Sequence, residues 1–291
     1  MKTEIFLVTY AVDYEWCTYT LRSIKRFSSG FSGMTMLVPY EDYEKFKPLT
    51  DQYGWKLCKY LVHPSKGFLH HMIAKCEADL WCPPDTDLIV HIDADCVFGE
   101  SFTPETFMHG GKPILVREHF EDFRHYPARY SWKTNVINAI GVNPEWETMV
   151  RHPNVYHFDL YRRFRDKVEQ KNRMSFHQYV ILQKESFPMS FCEFPALGGF
   201  CLEYEPERYR IITAVTTPGP YWNDEKWRQH GIKPFQRDHN YVPVEKGPWH
   251  WLWHMDDGSV EKHELCCPIR YFWSRKGVTP EYKQQIEQML A

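Results

Sequence analysis

Apolar runs of strand length alternate with helical stretches along the first third of the chain. Residues 5–10 (I-F-L-V-T-Y) read as a buried first strand. Residues 14–27 come next, with Trp16, Tyr19, Leu21, Ile24 and Phe27 available for the apolar face of a helix. Residues 34–38 form a second strand stopped by Pro39, residues 41–49 a polar surface helix, and residues 55–62 a third strand. In residues 67–81, Leu69, Met72, Ile73, Cys76 and Leu80 fall at helical spacing, with His70, His71 and Lys75 off that stripe. Pro83 and Pro84 end this helix. Strand-helix alternation of this kind predicts a parallel, doubly wound sheet.

The next strand carries the chemistry. In T-D-L-I-V-H-I-D-A-D-C-V-F (residues 86–98), Leu88, Ile89, Val90 and Ile92 make a short, β-branched run that stops on Asp93 and Asp95. In an extended backbone residues two apart point the same way, so both carboxylates are expected to face one site. That site lies at the carboxyl end of a central strand, where open α/β sheets bind ligands. Two close anions repel unless a cation or proton sits between them, and a hard divalent cation is the natural partner. A plain acidic turn is the competing reading.

Beyond Glu100 the pattern loosens. Residues 114–117 read as a short strand, 126–139, 159–173 and 176–184 as helices, and 187–200 as a loop with Pro and Gly. From Pro206 onward the chain is rich in Pro, Trp and His without clear periodicity. With no internal repeat and no low-complexity linker, the expectation is one domain over 1–291. Residues 1–100 would be its nucleotide-binding half and 101–291 its acceptor-shaping half.

Composition narrows the class. A hydrophobic content of 43% and a charged content of 25% are those of an ordinary globular protein, and a net charge of −3 advertises no global field for nucleic acid. Aromatics at 16% are enough to build both a core and stacking surfaces. The nine cysteines include no Cys-x-x-Cys pair, and Cys266 and Cys267 are adjacent, so reduced cytosolic thiols fit better than a disulfide framework or a zinc site. The apolar run near the N-terminus is too short for a signal peptide and no run reaches membrane-span length. A cytoplasmic protein is expected, in the host cytoplasm if phage-encoded.

Taken in order, G-F-L-H-H-M-I-A-K-C, then D-L-I-V-H-I-D-A-D-C-V-F, resembles the donor-binding core of GT-A fold glycosyltransferases, specifically a bacterial and phage Asp-x-Asp group. Upstream, V-T-Y-A-V-D-Y-E-W with L-R-S-I-K-R-F is similar to that group's first strand, Asp-containing loop and first helix. Downstream, F-C-E-F-P-A-L-G-G-F (residues 191–200) is similar to its acceptor segment. His71 and Met72 stand where such relatives carry paired Gln, and Pro195 replaces a polar residue. The resemblance implies a Rossmann-like α/β fold with a mixed, mostly parallel central sheet flanked by helices. It also implies Mn²⁺ or Mg²⁺ as cofactor and a nucleotide-sugar donor, by family habit a UDP-sugar.

The resemblance assigns roles residue by residue. Asp93 would meet the donor ribose and the metal, and Asp95 would bind metal directly. Lys75 would reach the diphosphate, or else be a solvated lysine on a polar face. Thr9, Tyr10 and Asp13 come just after the first strand, where base and ribose would sit; Asp13 has helix capping as an alternative. Glu193 is the candidate general base for an acceptor hydroxyl, or a group that only hydrogen-bonds it. His250 and His254 (P-W-H-W-L-W-H) share a face in either strand or helix and offer a late metal ligand, or are core histidines. Lys233, in H-G-I-K-P-F, is a weaker phosphate candidate.

The basic segment 161–173 interleaves Arg162, Arg163, Arg165, Lys167, Lys171 and Arg173 with Tyr161 and Phe164. It could follow a phosphate backbone, or be a solvated helix face. With the size and Trp content, it motivates the most specific expectation: transfer of a hexose or pentose to a hydroxymethylated base in phage DNA. A saccharide or lipid-linked acceptor, a nucleotidyltransferase and a non-catalytic binding module are the alternatives. The loop after the first strand lacks the glycines and basic residues that a nucleotidyltransferase would normally show there.

Overall fold

The computed structural model describes residues 1–62, 66–99, 101–123, 127–149, 153–184, 191–213, 249–254, 260–265, 269–271 and 280–291. Its backbone groups into two compact units, residues 1–108 with 152–163 and 268–291, and residues 109–151 with 164–267.

The first unit begins with the expected alternation: β1 (Thr3–Val8), α1 (Tyr14–Phe27), β2 (Gly33–Pro39), α2 (Tyr43–Tyr53), β3 (Lys56–Tyr60), α3 (Gly67–Cys76), α4 (Ala78–Trp81) and β4 (Leu88–Ile92). β5 (Cys96–Phe98) comes immediately afterwards. The strand order is β3-β2-β1-β4, all parallel, closed at one edge by β9 (Asn154–His157), antiparallel to β4. The result is an α/β fold with a mixed, mostly parallel central sheet flanked by helices, compatible with a Rossmann-like arrangement. β1 and β4 are buried along their whole length, as strands covered on both faces must be, which explains their continuous apolar runs.

The chain reverses its course across this sheet. From β1 it steps to β2 and then β3 on one side, and afterwards crosses to β4 on the other. The reversal leaves a crevice between the carboxyl ends of β1 and β4, the place where ligands bind such sheets. The register Leu7↔Ile92 brings Thr9 and Asp93 out close to one another.

The expected helix 67–81 is broken at Glu77. Cys76 and Ala78 are both fully buried, whereas residues two apart in a continuous helix lie about 200° apart. Leu80, expected on the apolar stripe, is 62% exposed, and Lys75, expected off it, is 4% exposed.

The second unit contains β7 (Lys112–His119), entered from the two-residue β6 (Met108–His109). β7 pairs in parallel with β10 (Arg210–Thr213) and antiparallel with β8 (Trp146–Glu147). Its helices are α5 (Pro127–Ile140), most of α6 (Leu160–Asn172), α7 (Phe176–Ile181) and α8 (Glu193–Tyr204). β11 (Trp249–His254) and β12 (Val260–Leu265) form an antiparallel pair.

Helix α8 corrects the loop expected over 187–200. Pro195 falls in the first turn, where its missing N–H is no loss. The two glycines are needed for close packing: a Cβ on Gly198 would collide with Thr148, and one on Gly199 would stand 2.9 Å from Val136 Cγ1. A last helix, Pro280–Leu290, was hidden in the stretch without clear periodicity. It sets Ile286 and Leu290 against Trp16, Tyr19 and Val97 in the first unit, while β13 (Ile269–Tyr271) pairs antiparallel with β5.

Candidate functional site

The crevice residues come from two loops, after β1 and after β4, and from helix α3. After β1, the Thr9 N–H donates to the Leu37 carbonyl (3.1 Å), and Ala11 N–H donates to Asp42 Oδ2 (2.7 Å). Lys45 Nζ donates to the Ala11 carbonyl (2.9 Å). These contacts hold Tyr10, 43% exposed, and Asp13 at the sheet end. Asp13 occupies the N-cap position of α1 but its side chain makes no capping bond, so the capping alternative fails.

After β4 the chain turns sharply. Cys96 N–H donates to the Asp93 carbonyl (3.2 Å), so residues 93–96 form a turn and not the extended segment expected from alternation. Helix α1 clamps this turn. Thr20 Oγ1 donates to the Ala94 carbonyl (2.5 Å), and Phe98 N–H donates to Ser23 Oγ (3.0 Å). That is why α1 buries Thr20 and Ser23 among its apolar residues.

The two carboxylates nonetheless share one electrostatic environment. Burial, then the neighbouring Asp93 charge, pushes Asp95 up to about 7, with Asp13 adding to the rise and Lys75 opposing it. Asp13 rises to about 6 from burial and Asp93. Burial, Asp13 and Asp95 likewise raise Tyr10. Asp95 thus feels the ammonium of Lys75, which reaches Asp93 Oδ1 at 2.9 Å from a side chain only 5% exposed. The lysine is therefore a buried partner of the acidic turn, and the solvated alternative is excluded.

His71 belongs to this group. It lies one helical turn before Lys75 on α3, its ring edge-on to Tyr10 with centroids 6.2 Å apart. Burial and the nearby Lys75 push it down to about 3 against the pull of Asp93, so the ring is neutral. Its Nδ1 is buried with no hydrogen-bond partner, as is Oγ1 of the fully buried Thr9. The i, i+4 spacing from Lys75 was the signal that would have placed His71 here.

Asp13, Asp93 and Asp95 are an oxygen-only donor set, which suits a hard divalent cation. Among the described residues no group of three or more His, Cys, Asp or Glu is arranged to hold a metal ion by itself.

The other candidates lie in the second unit. Glu193 is the first residue of α8, 1% exposed, with Thr148 Oγ1 donating to the carbonyl of the next residue, Phe194 (3.0 Å). His250 and His254 occupy β11 backbone positions opposite Glu264 and Val260. Lys233 lies outside the described residues.

Helix α6 corrects the picture of interleaved aromatics and cations. Tyr161 and Phe164 are fully buried, and Tyr161 shares a 2.6 Å hydrogen bond with His91 Nε2. Lys171 donates to the Asn138 carbonyl (2.6 Å), Lys167 stands 4.9 Å from the centre of the Tyr204 ring, and Arg163 pairs with Asp159 (3.2 Å). The segment is an amphipathic helix with a solvated charged face.

Among the described residues no helix is long and apolar enough to cross a membrane, and Cys17, Cys58, Cys76, Cys82, Cys96, Cys192 and Cys201 are free thiols. Compared with known proteins, the chain matches no family model and no curated sequence.

Proposed function

We propose that the chain is a metal-dependent glycosyltransferase of the GT-A kind, moving a sugar from a nucleoside diphosphate sugar to a hydroxyl acceptor. The observation that carries this reading is the clamped acidic turn, Asp93 and Asp95 with Lys75, at the crevice between β1 and β4. A departing diphosphate needs positive charge. A bound Mn²⁺ or Mg²⁺ supplies it as a Lewis acid, and Asp93 and Asp95 would hold that ion. Lys75 holds Asp93 in place and adds one positive charge near the phosphates. Tyr10, Thr9 and Asp13 form the β1 side of the donor crevice. The resemblance assigns to Glu193, in the second unit, removal of the acceptor hydroxyl proton, a contribution of typically 10²–10⁴-fold. UDP is the first donor nucleotide to try. A hydroxymethylated base in DNA belongs in the acceptor screen beside saccharides, although the buried Tyr161 and Phe164 provide no stacking surface for it.

Calorimetric titration of UDP and other nucleoside diphosphates, with and without Mn²⁺, tests the donor site on wild type and Asp95→Ala. Binding that requires metal and disappears in Asp95→Ala supports the reading. A wild type that binds none of them, with or without metal, overturns it. Release of pyrophosphate from a nucleoside triphosphate and a sugar phosphate would instead favour the nucleotidyltransferase.

A further inference from the structure

His71 is the crevice group that the acidic turn does not explain. The residue is partly exposed, and its ring makes no hydrogen bond at Nδ1 and rests edge-on against the half-exposed Tyr10. A buried polar atom left unpaired costs about 1–3 kcal/mol, so such an atom at a binding crevice calls for a reason. The position of His71 supplies one. Lys75, on the same face of α3, marks the phosphate end through its contact with Asp93. One helical turn back, about 5.4 Å along the axis, lies His71 with Tyr10 beside it. That step is on the order of the spacing between a diphosphate and its pentose.

We infer that His71 is a specificity-determining residue that hydrogen-bonds the nucleoside part of the donor, at the ribose or the polar edge of the base, with Tyr10 as the adjoining ring surface. The inference rests on reading this crevice as the donor site. A flip of the imidazole exchanges Nδ1 with a ring carbon and lets either nitrogen meet the ligand. Because the free protein leaves the ring underused, an apolar replacement removes an unsatisfied group, whereas a histidine kept for packing or for an internal hydrogen bond would destabilise the fold when replaced.

The experiment compares wild type, His71→Leu and His71→Gln with two probes in the presence of Mn²⁺: pyrophosphate, and the nucleoside diphosphate that wild type binds best. His71→Leu is expected to lose about tenfold or more in affinity for the nucleotide, the value of one hydrogen bond. It should keep its affinity for pyrophosphate and melt no lower than wild type. His71→Gln should recover part of the nucleotide affinity, and serves as the test if the leucine variant does not fold. Equal losses for both probes, or none for either, overturn the inference while leaving the donor site standing. A wild type that binds neither probe, or pyrophosphate alone, overturns both.

Discussion

Lys75 Nζ stands 2.9 Å from Asp93 Oδ1, and the lysine is almost wholly buried while the aspartate opens partly to the crevice. The pair joins α3 to the turn after β4, and its ammonium opposes the charge that Asp93 and Asp95 gather there. Replacing Lys75 by Met leaves the acidic turn without its cation. The variant should lose about 2–4 kcal/mol in denaturant titrations at pH 7.5. Added Mn²⁺ should return part of that loss, since it supplies the missing charge.

The carboxylates also set a pH dependence. Asp13 and Asp95 rise to about 6 and about 7 in the folded protein from an ordinary value of 3.8. Between roughly pH 4 and 7 the folded state therefore binds more protons than the unfolded one. Stability without metal should fall as pH rises through this window and level off above it. His71, held down to about 3 when folded from an ordinary 6.5, opposes this trend below about pH 6.5 and reduces the slope without cancelling the two carboxylates. Melting temperatures from pH 5 to 8 check this, and Asp95→Asn should flatten the slope. Mn²⁺ competes with protons for the same oxygens, so its stabilising effect should be larger at pH 7.5 than at pH 5.

Ser23 accepts the Phe98 N–H inside the core. Ser23→Ala strands that donor and should cost about 1–3 kcal/mol. Because the bond helps hold the acidic turn, affinity for nucleotide with Mn²⁺ should also weaken, by roughly tenfold. An unchanged affinity in a destabilised variant would separate the clamp from the site.

Close packing of α8 makes a separate claim. Gly199→Ala puts a methyl against Val136 and should cost about 1–3 kcal/mol. The contact is with a Cγ methyl, so Val136→Ala should absorb much of that cost. A double-mutant cycle should give a coupling of about 1 kcal/mol or more. Additive effects would mean that the helix shifts freely.

Local pattern made the N-terminal part of the first unit, to Ile92, readable. The runs in β1, β2 and β4 are buried on both faces, so they stand out as continuous apolar segments. α1 runs over the residues its amphipathic stripe predicts. Asp93 and Asp95 were legible as a pair because they end such a run, although an extended backbone is not what makes them converge. They converge through a turn tied down by Thr20 and Ser23, side chains 74 and 75 residues distant from their partners in sequence.

The sequence by itself determined the order of strands and helices to Ile92, apart from the break at Glu77, and the strand end where the charge collects, because both are written in spacing over a few residues. Only the tertiary structure decided that Lys75 is buried against Asp93, that His71 joins the crevice, and that 193–204 and 280–290 are helices. Each of these depends on a partner far along the chain: a charge for the lysine, the ring of Tyr10 for the histidine, Thr148 and Val136 for two glycines, Trp16 and Tyr19 for the last helix. Propensity is local, whereas burial and pairing are set by what the fold brings alongside.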